Sequence, residues 1–162
     1  MKFLNLEVEK LNKNHLIILL IFIVATIAYC CTGGGYQDRQ WEYSMARHTS
    51  LLSPYLKTVS DASRSGDFKT LVTYGQYIAD DTQKAIDENN QFKVSPKLQE
   101  AQKEWGLAIQ DYNSAGKLMV KAGNEALTNI DAVADINQST EYLKTGNNHY
   151  HKANQVCLSI HG

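Results

Sequence analysis

The sequence predicts an all-α protein: an N-terminal membrane segment followed by an antiparallel up-down-up-down four-helix bundle. Three observations lead there. Residues 16–28 read LIILLIFIVATIA, with no charge and no polar face. Beyond Tyr36, apolar and small residues recur at steps of three and four in four separate stripes, the spacing of one helix face. No alternating run of β-branched residues suggests a strand.

Taken in order, residues 1–15 form a short tail, expected on the cytoplasmic side, in which Lys2, Lys10 and Lys13 are interrupted by Glu7 and Glu9. Residues 16–31 form the membrane or export segment. At about 1.5 Å of rise per residue it spans about 24 Å, against ~30 Å of bilayer hydrocarbon. Positive charge before the run slightly exceeds Arg39 and Arg47 after it, which predicts an N-in, C-out orientation. Ile27-Ala28-Tyr29-Cys30 resembles the lipobox of bacterial and archaeal lipoproteins, with Tyr29 where that motif carries Gly, Ala or Ser. The resemblance makes Cys30 the candidate lipidation site, and an uncleaved transmembrane helix is the alternative. Residues 32–37, opening Thr-Gly-Gly-Gly, read as a flexible linker. Residues 38–162 read as the extracytoplasmic bundle.

The first stripe is Trp41, Met45, His48, Leu52, Tyr55, Val59 and Ala62; the second is Phe68, Leu71, Gly75, Ile78, Thr82, Ala85 and Asn89. The third runs Leu98, Ala101, Trp105, Ala108, Tyr112, Ala115, Met119, Ala122 and Ala126. The fourth runs Ile136, Ser139, Leu143, Gly146, Tyr150, Ala153, Cys157 and Ile160. A repeat averaging 3.5 residues keeps each stripe against its partners in a slightly supercoiled bundle. The helices should be about 26–33 residues long, roughly 40–50 Å.

The breaks agree with the stripes. Gly66 suits a left-handed C-terminal residue and Asp67 an N-cap. Residues 89–94 form the second break, after which Ser95-Pro96 offers a capping hydroxyl and a first-turn proline. The third lies within residues 128–135, where Thr128, Asp131 and Asp135 are candidate caps. Pro54 should kink the first helix, or break it with Ser53 as a cap. Many stripe positions are Ala, Gly or Ser, so backbones can approach closely while Trp and Tyr fill the remaining space.

Composition bounds the function. A net charge of −1 lacks the basic footprint of a nucleic-acid binder. Three cysteines are too few for a disulfide scaffold. The chain has no P-loop, no His-Glu-x-x-His, no Gly-x-Ser-x-Gly, no Glu-x-x-His and no Cys-x-x-Cys-His. No catalytic residue, cofactor or metal site is therefore expected.

Several residues have two readings. Met45 and His48, with His149, His151 or His161 of the fourth helix, suggest axial ligands of a haem- or metal-binding electron-transfer bundle. The plainer expectation is a His48 ring bonded to Tyr150 or a carbonyl, with the other histidines solvated. Asp80, Asp81, Asp87 and Glu88, with Lys84 among them, read as a solvated, ion-paired face. Cys157 reads as a small buried hydrophobe, or as the partner of Cys30 or Cys31 in a bridge. Asn137-Gln138-Ser139 is a sequon, which makes Asn137 the candidate glycosylation site. The functional expectation is a membrane-anchored extracytoplasmic module, non-catalytic, that binds another protein, a surface-layer component or a small ligand, with the membrane and another cell-surface or membrane protein as partners. A structural spacer at the cell surface is a further alternative. The stripes leave the oligomeric state open, because they can also drive association between chains.

Overall fold

Helix boundaries fall where local chemistry places them. The computed structural model describes residues 35–161, in which α1 (Tyr36–Ser65), α2 (Phe68–Asn89), α3 (Gln99–Leu127) and α4 (Val133–His161) pack against one another. The tail, the apolar segment and Cys30 lie outside the described residues. Among the described residues no helix is long and apolar enough to cross a membrane, and none forms a strand.

The first turn is built as the residues predict. Gly66 ends α1 at φ 71°, a left-handed conformation that costs glycine nothing. Asp67 then caps α2, its carboxylate accepting from the Thr70 N–H at 3.1 Å. The third connection turns on Asn129 at φ 60°, and Asp131 accepts from the Val133 N–H at 3.0 Å.

Three expectations need correction. Ser95-Pro96 does not open α3. The Ser95 carbonyl closes a turn by accepting from the Leu98 N–H at 2.9 Å, and the helix starts at Gln99. Of the two outcomes expected at Pro54, a kink or a break capped by Ser53, the break does not occur, and α1 runs unbroken for 30 residues. α2 is shorter than expected at 22 residues, because its cap at Asp67 and the connector after Asn89 leave no more chain.

Facing residues define the topology. Trp41 meets Asn89 while His48 meets Asp81, so α1 and α2 run antiparallel. Asn113 against Ala79 and Gln102 against Asn89 do the same for α2 and α3. Tyr112 against Asn147 and Lys121 against Asp135 do it for α3 and α4. The predicted stripes supply the core: Trp41, Leu52, Leu71, Ile78, Leu98, Ala101, Trp105, Ala108, Ala115, Leu143, Tyr150, Ala153 and Cys157 are all buried.

Two kinds of packing hold the helices together. On the α2–α3 seam, a methyl added at Gly116 would lie 2.8 Å from both the Ala79 nitrogen and the Gly75 oxygen. Backbones there touch directly. α1 instead meets α3 and α4 through large side chains, with Thr49, Leu52 and Leu56 facing Trp105, Tyr112 and Tyr150. Buried polar groups lock the register. The Asn113 amide donates to the Ala79 carbonyl at 2.8 Å and to Thr82 Oγ1 at 3.1 Å. The Tyr112 hydroxyl donates to Asn147 at 2.5 Å, and burial pushes that phenol well above its ordinary pKa.

Gly116→Ala tests the seam. Helix propensity alone would favour alanine by about 1 kcal/mol, yet the new methyl must push rigid backbone apart at a cost of about 1–3 kcal/mol. Urea unfolding should show a net loss of stability. A gain would mean that the two helices are not in this close contact.

Candidate functional site

α1 brings its one fully buried titratable ring to the α2 surface. His48 is 1% exposed, and both of its ring nitrogens face carboxylates. Nδ1 lies 3.1 Å from Asp81 Oδ1, and Nε2 lies 3.2 Å from Glu88 Oε2. Asp81 and Glu88 are two turns apart on α2, so they bracket the ring from either side. The Arg47 guanidinium also lies 3.1 Å from Nε2. As an imidazolium the ring donates to both carboxylates; as a neutral imidazole it donates to Asp81 and accepts from Arg47. Either protonation state is satisfied.

Glu88 is the hub. Its two oxygens accept from Arg47 at 2.6 Å, and one also accepts from the Ser44 hydroxyl at 2.6 Å. The Arg47 hydrogen bond, followed by those of Ser44 and His48, outweighs burial and holds the Glu88 carboxyl down at about 2. Such charge-assisted bonds are roughly twice as strong as neutral ones. Asp81 and Glu88 are thus part of a semi-buried network, which corrects the expectation of a solvated acidic face. Asp80 and Asp87 do behave as surface residues, each accepting from a glutamine one turn earlier.

Above this network lies an open groove of about 580 Å³, lined by Tyr36, Arg39, Gln40, Tyr43, Ser44, Arg47, Glu88 and Phe92. Tyr36, Arg39, Tyr43 and Arg47 follow helical spacing along the outer face of α1. Tyr36 is 68% and Tyr43 70% exposed, large aromatic areas left open to water. Arg39 forms no ion pair with any described residue.

The far wall is positioned by a set of buried and half-buried bonds. The Trp41 indole donates to Asn89 Oδ1 at 2.8 Å. The Gln102 amide donates to the Asn89 and Phe92 carbonyls at 2.9 and 3.0 Å. Buried Asp38 accepts from the Ser95 N–H at 2.7 Å. Burial pushes that carboxyl up, but the Ser95 bonds and nearby Lys97 prevail and keep it below its ordinary value. These contacts clamp the α2–α3 connector, and Phe92 with it, against the start of α1.

The other candidate residues scatter. His48 turns to α2 and bonds neither Tyr150 nor a carbonyl, because two α2 carboxylates outcompete them for its nitrogens. His149 lies 2.6 Å from Glu104 on α3, which holds Glu104 below the usual carboxylate range. Met45 is buried in the core. The space between α1, α3 and α4 near Trp105 is filled down to a void of about 10 Å³. Met45, His48 and His149, three residues of the alternative haem reading, thus face different partners. Among the described residues no group of three or more His, Cys, Asp or Glu could hold a metal. Cys157 is fully buried, and its bridge to Cys30 or Cys31 falls outside the described residues. Asn137 is exposed in the first turns of α4, while Ser139 is buried and its hydroxyl donates to the Ile136 carbonyl at 2.8 Å. Comparison with models of known families, with curated proteins and with solved structures finds no match.

Two outcomes test the network. His48→Ala strands Asp81 beside a void and should cost about 3–5 kcal/mol in urea unfolding; a loss below ~1 kcal/mol would contradict the pairing. Glu88 has a folded pKa below its ordinary value of 4.5. Its contribution is complete above the unfolded value and disappears as pH falls toward about 2. After allowance for its partial exposure to solvent, that contribution is on the order of 1–2 kcal/mol. Glu88→Gln should be less stable at neutral pH, and its stability should fall less steeply in acid.

Proposed function

We propose that the protein is a non-catalytic binding module, held at the outer face of a membrane by residues 16–31, and that the α1 groove is its binding surface. The observation that carries this reading is the groove itself: exposed tyrosines and an arginine with no ion pair to any described residue, over a floor fixed by a half-buried ion-pair network. Tyrosine and arginine supply contact area and charge at modest entropic cost, and both are enriched at recognition surfaces.

The polar groups beneath the groove favour binding over catalysis. His48 is enclosed, both of its nitrogens are engaged, and the Ser44 hydroxyl already donates to Glu88. A nucleophile–base pair would need one of them free to reach a substrate. The anchoring part of the proposal rests on the uncharged run from Leu16 and the N-in charge asymmetry, with Cys30 as a lipid attachment point or the segment as an uncleaved helix. The partner classes are the membrane and another protein at the cell surface.

Two measurements test the reading. On intact cells, external protease should digest residues 36–162 of the full chain while an N-terminal cytoplasmic tag survives; protection of that region would reverse the orientation. A photo-crosslinking residue replacing Gln40, inside the groove, should form a discrete adduct. The same residue replacing Lys144, on exposed α4 surface, should not. Equal behaviour at both positions would leave the bundle a spacer.

A further inference from the structure

We infer that the groove's occupant is the phosphate layer of the bilayer in which the protein is anchored, so that the bundle lies against lipid headgroups along the start of α1. This inference deepens the reading above and rests on its membrane anchor. Four residues, Thr32 to Gly35, separate the apolar segment from α1. Fully extended they reach about 14 Å, so the groove is confined close to the headgroup zone. Its chemistry suits that zone. Tyr36 and Tyr43 expose amphipathic rings of the kind that settle at membrane–water interfaces. Arg39, between them in sequence, has a guanidinium with no ion pair to any described residue and a fork geometry matched to phosphate.

Charge at this end points the same way. The groove's one carboxylate, Glu88, is already neutralised by Arg47. The connector that carries Phe92 adds exposed Lys93, and Lys97 beside buried Asp38, between the exposed acids Asp87 and Glu100. Exposed cations such as Arg39 and Lys93 beside a tether are attracted to phosphate within a Debye length. The tether supplies the first membrane signal and the groove the second. A bulky protein partner would have to enter the same narrow gap.

The test uses the full chain in vesicles carrying nitroxide on the lipid headgroup. Tyr43→Trp and Ile130→Trp each add an indole at an exposed site, at the groove and at the opposite end of the bundle respectively. Buried Trp41 and Trp105 contribute a constant background. Tyr43 is a better probe than Tyr36, which the tether alone would bring near lipid. The expected result is roughly twofold quenching of the Tyr43→Trp increment and little at Ile130→Trp. Adding Arg39→Glu with Lys93→Glu, or raising salt, should cut the quenching at least by half. An unquenched Tyr43→Trp in chains that resist carbonate extraction would overturn the inference while leaving the anchor intact, and would assign the groove to a protein partner. Chains released by carbonate would overturn the anchor, and the inference with it.

Discussion

A histidine that is almost completely buried can be tolerated only if both of its nitrogens find partners, and that requirement fixes how α1 sits on α2. Asp81 and Glu88 satisfy it from one side of α2, two turns apart. A slip of one residue along either helix would take a carboxylate off the ring and leave a buried polar group unmatched. The consequences spread outward from the ring. Arg47 immediately precedes His48 in the chain and so reaches Glu88; Ser44 lies about one turn earlier and reaches the same carboxylate. The edge of the groove is therefore set by the register that His48 demands.

The bundle divides its work between two kinds of contact. α2, α3 and α4 are drawn together by glycine and alanine: a methyl at Gly116 or Gly123 would fall within 2.8 Å of a neighbour, and one at Gly75 or Gly146 would be tight at 3.0 Å. Close backbone contact yields dense packing, and a few buried polar bonds such as Asn113 to Ala79 choose among the possible registers. α1 has no such seam. It lies on large side chains and depends on charged and aromatic groups for its position. Buried ion pairs contribute little net stability, but losing one partner is costly, so they act as selectors of arrangement. The helix that carries the groove is thus the one whose placement is specified most by polar chemistry.

Most of the helical architecture was legible in the spacing. Each stripe became the buried face of its helix, and Gly66-Asp67 ended one helix and began the next because those two residues have few other roles. The errors came where tertiary contacts override local signals. Ser95 resembles a cap, but its N–H is recruited by Asp38 from across the bundle. Pro54 stays inside α1 as the continuous stripe implied, so only the alternative of a break with a Ser53 cap is set aside. The groove was hardest to foresee. Asp81 and Glu88 share their stretch with Asp80, Asp87 and Lys84, and the sequence does not show which acids face inward. The signal was present in His48: a histidine on a core stripe needs a partner, and the helix next in the chain offers acids at matched spacing.

The groove is also built before anything enters it. Its walls come from α1, from the end of α2 and from the α2–α3 connector, and each is pinned by a separate bond. Trp41 holds Asn89, Gln102 holds the carbonyls of Asn89 and Phe92, and Asp38 holds Ser95. Irregular chain is ordinarily the most mobile part of a helical bundle, yet this connector is held in place by buried Trp41 and Asp38 and half-buried Gln102. Surfaces fixed in advance lose less conformational entropy on association. Tyr36, Tyr43 and Arg39 are then the adaptable elements of the groove, standing on a floor whose side chains are already committed to one another. That division, a rigid polar base beneath a few exposed aromatic and cationic groups, lets a small helical domain present a defined surface without a large apolar patch.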